Sequence, residues 1–124
     1  MGTKHLVLVG AGHAHLTTIA NLESITTLGA RVTVISLGSY QYYSGMGPGL
    51  LSGFYTPGDV RFNVRAMSER HGAEFIEGRV DGIDPDGNKI RLSDGSTYDY
   101  DVVSINVGSI IDTEHIGLAP SRNI

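Results

Sequence analysis

Two short runs, Leu6-Val-Leu-Val9 and Val32-Thr-Val-Ile35, show no alternation of apolar and polar positions. Continuous β-branched and leucine stretches of this length are the mark of strands buried on both faces of a parallel sheet. Between them Leu16, Ile19, Ala20, Leu22, Ile25 and Leu28 recur at mostly three-residue steps. That spacing predicts a helix over 13–28, stopped by Gly29. The stripe drifts around the cylinder, so the helix is expected to touch more than the sheet. Strand, helix and strand together make a βαβ unit of the usual size.

Residues 37–55, "LGSYQYYSGMGPGLLSGFY", show neither a helical nor an alternating period. They are read as a long loop rich in tyrosine and glycine, a kind of segment that is usually functional. "TPGD" then reads as a helix start, with Thr56 as N-cap, Pro57 in the first position and Asp59 three residues after the cap. Val60, Val64 and Met67 form its inward face and Gly72 ends it. Residues 73–77 are a third strand, and 102–106 a fourth. The turn clusters "DPDGN" and "SDG" divide residues 79–101 into an antiparallel meander. The fold class is therefore α/β, a three-layer domain with a parallel sheet in the order 3-2-1-4. The meander forms the crossover between the third and fourth strands, and right-handed connections fix the helix side.

Composition narrows the function. A chain of 124 residues is the size of one domain. Its net charge of −4 argues against a nucleic-acid partner. The absence of cysteine excludes disulfides, thiolate metal sites and cysteine nucleophiles from these residues. No apolar run is long enough for a membrane span or a secretory signal, so a cytoplasmic location is the default expectation.

The chemistry concentrates at "VLVGAGHAHL". Gly10 allows a tight bend off the first strand, and Gly12 lets backbone approach a pyrophosphate. The following helix aims free N–H groups and its positive dipole end at the phosphates. The third glycine of a G-x-G-x-x-G turn serves helix–strand packing. His15 in that place argues for a shifted helix rather than a lost anion site. His13 and His15, two apart, point to different faces of a helix and cannot chelate a metal together. Two readings stay open for them: a partial positive charge beside phosphate, or space-filling. At the end of the second strand, where such sites carry an acid for the ribose hydroxyls, stands Ser36. No arginine follows it to recruit a 2′-phosphate, which argues against NADP.

With "VLVGAGHAHL", "YYSGMGPGLLSGFYTP" and "YDVVSINVGS", the chain resembles flavoproteins of the pyridine nucleotide-disulfide oxidoreductase superfamily. The match runs over residues 4–109. Within the superfamily it is most similar to the type II NADH dehydrogenase-like group, including the flavoprotein domains associated with selenophosphate synthetase, in which "GHAH" is familiar. The resemblance implies a Rossmann-like segment at 1–111 binding FAD, with 112–124 as a linker towards an NAD(H)-binding domain. It implies Gly10, Ala11, Gly12, His13 and Ala14 at the pyrophosphate, Ser36 at the adenosine ribose and the Val80 backbone at the adenine. Tyr43, Ser44, Gly45 and Met46 would lie towards the flavin. Asn106-Val107-Gly108 stands for the second flavoprotein signature, with Val107 in place of its threonine. The redox cysteine pair of the disulfide reductases is absent, so the likeness to that branch is one of scaffold.

The expected function is the FAD-binding portion of an NAD(P)H-dependent flavin oxidoreductase that passes electrons to a quinone or similar acceptor. NAD(P)H would be co-substrate of the longer protein, whose peripheral membrane contact the resemblance allows. No catalytic acid, base or nucleophile is identified, since the flavin carries the chemistry in such enzymes. With no second dinucleotide turn in these residues, the segment alone is expected to be inactive. The alternative is a free-standing adenine-nucleotide-binding module without catalysis. The fourth strand would leave an apolar sheet edge, to be covered by the tail or by a second copy in a homo-oligomer.

Overall fold

The computed structural model describes residues 3–109. β1 (His5–Val9), α1 (His13–Ala20), α2 (Leu22–Thr26) and β2 (Arg31–Ser36) form the opening βαβ unit. A side excursion follows, with β3 (Tyr40–Tyr42), a 3₁₀ turn at Ser44–Met46, α3 (Gly47–Leu51) and β4 (Arg61–Asn63). α4 (Val64–Arg70) returns the chain to β5 (Glu74–Glu77). Then come the meander strands β6 (Val80–Asp84), β7 (Lys89–Leu92) and β8 (Thr97–Asp99), and finally β9 (Val102–Ile105).

The main sheet is parallel in the order β5-β2-β1-β9, as the sequence predicts. Its register aligns Leu8 with Val34 and Ser104, and Val34 with Phe75. Each face of this sheet has its own core, which explains why β1 and β2 read as unbroken apolar runs. Leu8, Val32 and Val34 pack on one face with Ile19, Leu22 and Val64 from the helices. Val7, Val9 and Ile35 pack on the other face with Ile90, Leu92 and Tyr100 of the meander region. The three layers are thus helices, parallel sheet and antiparallel meander.

Three local expectations need correction. The helix predicted over 13–28 is two helices broken at Asn21, whose φ of −115° leaves the helical region. Its side-chain Nδ2 donates to Thr17 O at 2.8 Å, a local bond that competes with helix continuation. Leu28, placed in the buried stripe, is 87% exposed. The second correction is to residues 37–55, which are not one long loop. Tyr40–Tyr42 pair antiparallel with Arg61–Asn63, and three-residue strands are too short to display a period. Third, "TPGD" opens no helix. The Asp59 carboxylate accepts from both the N–H and the hydroxyl of Thr56, each at 2.8 Å, and closes a turn. The helix begins at Val64, where Asn63 Oδ1 caps the N–H of Ala66 at 3.0 Å.

Among the described residues β9 pairs only with β1, and its Val102 and Ile105 are exposed. The linker expected at 112–124, and any cover it gives this edge, lie outside the described residues.

Candidate functional site

The strand order dictates where a site can form. From β1 the chain moves outward through β2 to β5, then returns to the opposite side of β1 as β9. The crevice at the carboxyl ends of strands flanking such a reversal is where open α/β sheets bind ligands. A cleft of about 630 Å³ opens there. Val9, Gly10 and Ala11 form its floor, Ile35 to Gly38 one wall, and Val107 to Ser109 the other. Arg79, Val80 and Ile83 close it from the meander side.

The glycine turn is built against the end of β9. Gly10 has a φ of +87°, a left-handed conformation that favours glycine. Its N–H donates to Ile35 O at 2.7 Å, and Gly12 N–H donates to Asn106 O at 3.0 Å. A Cβ on Gly12 would collide with Asn106 Oδ1. The expectation that Gly12 stays small for a phosphate therefore acquires a second cause inside the protein. That same Oδ1 is the buried side-chain oxygen left without a hydrogen-bond partner among the described residues. Beyond Gly12, α1 starts without a side-chain cap and without an acid in its first turn. Its leading N–H groups are open to an anion.

The histidines separate. His15 is buried, with Nδ1 2.6 Å from Gly10 O and Nε2 2.9 Å from Ser104 Oγ. Gly10 O can only accept, so Nδ1 carries a proton; in the neutral tautomer this fixes, Nε2 accepts from the serine hydroxyl. His15 is a strap between turn and sheet, and both ring nitrogens are occupied. His13 is exposed at the first position of α1, its ring 4.8 Å from that of Tyr43.

Of the residues singled out from the sequence, Gly10, Ala11, Ser36, Val80 and Gly108 line the cleft. Gly12 and Asn106 stand behind its floor, in contact with each other. Ala14 is exposed on α1. Tyr43 packs edge-on to Phe62 at 6.4 Å and over Gly45, beside the α1 N-terminus rather than in the cleft. Ser44, Gly45 and Met46 form the 3₁₀ turn next to it. The cleft also contains residues missed from the sequence, chiefly Gly38, Tyr40, Gln41 and Arg79. Arg79 bears on the expectation that no arginine serves the ribose end. Arg79 lies just beyond β5 and lines the cleft, 43 positions after Ser36, where a search along the neighbouring sequence does not look.

No protein-family model matches the chain. The type II NADH:quinone oxidoreductase of Staphylococcus aureus (strain NCTC 8325 / PS 47) is 28% identical over 111 residues, 89% of this chain. Among solved structures, the sulfide:quinone oxidoreductase of Aquifex aeolicus superposes with a TM-score of 0.73 at 27% identity. That match covers 86% of this chain and 24% of the other. The water-forming NADH oxidase of Lactobacillus brevis gives 0.72 at 21% identity over 96% of this chain and 27% of the other, a likeness of fold. The resemblance drawn from the motifs is thereby borne out as a likeness: the chain is similar to a segment of flavin-dependent oxidoreductases of this kind. The curated relatives it matches are type II NADH:quinone oxidoreductases, and it spans 27% of their length.

Proposed function

We propose that the chain is the FAD-binding segment of a flavin-dependent NAD(P)H oxidoreductase whose electrons pass to a quinone or similar acceptor. The observation that carries this reading is the cleft at the strand reversal, floored by the Gly10 turn. The residues present suit the cofactor. The uncapped α1 N-terminus and the Gly10-Ala11 backbone would take the pyrophosphate, while Ser36 and the Val80 backbone would face the adenosine. Gly38 and Gly108 leave open space where side chains would otherwise fill the cleft. The buried Asn106 oxygen behind the glycine turn has no hydrogen-bond partner among the described residues.

The flavin, when bound, supplies the hydride and electron chemistry. The chain's own part is to fix the dinucleotide backbone and exclude water from its apolar wall of Val9, Ile35, Val80 and Ile105. Among the described residues no helix is long and apolar enough to cross a membrane. A cytoplasmic location, NAD(P)H as co-substrate of a longer protein, peripheral membrane contact of that protein, and association through the β9 edge belong to the same proposal. So do the roles of Tyr43 to Met46 towards the flavin.

Titration of FAD with the purified chain, followed by flavin fluorescence, tests it. Saturable binding is expected, weakened at least tenfold (order of magnitude, from the desolvation of a blocked pocket) by Gly38→Phe. Gly38 has no neighbour within 4 Å of a Cβ, so this variant blocks the cleft without disturbing the fold. Equal affinity of the two proteins would refute the site.

A further inference from the structure

The chain carries a net charge of −4, so its average field opposes an anionic ligand. Yet Arg79, an exposed residue, is the sole charged residue lining the cleft among the described residues. A second guanidinium, that of Arg61 on β4, lies 4.1 Å from the ring centroid of Tyr40, itself a lining residue. Arg61 pairs in register with Tyr42, so Tyr40 is its diagonal neighbour across the β3–β4 ribbon. Among the described residues neither arginine has a carboxylate partner, whereas Arg31, Arg65, Lys89 and Arg91 are each tied to one.

The carboxylates of the same segments stay outside the cleft lining. Asp81 is paired with Arg91 at 2.8 Å, and Asp59 closes the Thr56 turn. Asp84 accepts from the N–H groups of Asp86 and Gly87. Glu77, the strand partner of Ser36, is exposed but does not line the cleft. A unit charge in water at about 10 Å from a diphosphate changes its rate of approach about two- to fourfold at low ionic strength. Such an effect needs no direct contact, and it fades once the Debye length falls below the separation.

We propose that Arg61 and Arg79 are capture residues, whose field steers the anionic diphosphate of a dinucleotide into the cleft of an otherwise acidic protein. This rests on the reading of the cleft as a dinucleotide site. Both residues act on the rate of association and leave the rate of release nearly unchanged.

Stopped-flow flavin fluorescence of the full chain mixed with FAD tests it, at about 10 mM and about 500 mM salt. At low salt Arg61→Gln and Arg79→Gln should each slow association about two- to fourfold, and Glu77→Gln should speed it about twofold. Arg61→Lys and Arg79→Lys should keep the wild-type rate, because charge alone steers. All these differences should collapse at high salt. The three replaced side chains are exposed, so the core stays intact. Association indifferent to salt, or slowed equally by the Gln and Lys replacements, would overturn the steering and leave the site standing. Absence of saturable FAD binding would overturn both.

Discussion

Ser104 on β9 and His15 in the first turn of α1 meet at 2.9 Å, Oγ to Nε2, across 89 positions of sequence. Through its other nitrogen His15 holds the Gly10 carbonyl. One imidazole thus fixes the glycine turn relative to the strand across the cleft. His15→Ala removes both bonds, empties a buried position and leaves the part-buried Gly10 carbonyl without this donor, so it should cost about 2–4 kcal/mol in denaturant unfolding. Ser104→Ala should cost about 1 kcal/mol, and little further once His15 is gone. Additive losses in the double variant would show that the two side chains do not act together.

Gly12 and Asn106 give a second coupled pair. A methyl group at Gly12 would collide with Asn106 Oδ1. Gly12→Ala is therefore expected to destabilise by about 1–3 kcal/mol, with part of the loss recovered when Asn106→Ala is added. No recovery in thermal melts would mean that Gly12 is small for another reason.

The start of α4 can be located by its cap. Asn63→Ala should cost about 1 kcal/mol, as loss of an N-cap does. Thr56→Ala lies in an exposed turn and should cost less than about 0.5 kcal/mol. The opposite ranking would restore the helix start at Thr56.

His5 supplies the pH dependence. Burial, followed by the nearby Arg31 charge, holds its pKa below the usual 6.5, against the raising influence of the Asp99 backbone, Glu74 and Asp101. The unfolded chain then binds the proton at higher pH than the folded chain does. This contribution is fully present above pH 6.5 and declines as pH falls towards the lower folded value. His5→Gln should flatten the stability profile in that window, as measured by unfolding at stepped pH. An unchanged slope in the variant would show that His5 is not the source.

The buried strands were legible because each is apolar on both faces, and Gly29 and Gly72 marked helix ends through their positive φ. The break at Asn21 was hidden because a single side-chain bond to Thr17 decides it. The pairing of Tyr40–Tyr42 with Arg61–Asn63 was hidden because it joins strands distant in sequence. The candidate site divides in the same way. Gly10, Ala11 and Ser36 follow a local rule at strand ends, whereas Arg79 enters through the sheet order. His15 kept two readings until its two hydrogen-bond partners, Gly10 and Ser104, were placed.

The central claim is that the cleft at the ends of β1, β2 and β9 holds the adenosine diphosphate part of a dinucleotide. Amide chemical-shift mapping by NMR during titration of the isotope-labelled chain with FAD tests it most directly. The account predicts saturable shifts concentrated at Gly10, Ala11, Ser36, Gly38, Val80 and Gly108, with the meander turn at Asp86 and Asn88 unmoved. Absence of saturable shifts in the cleft, or shifts concentrated at that turn, would contradict it.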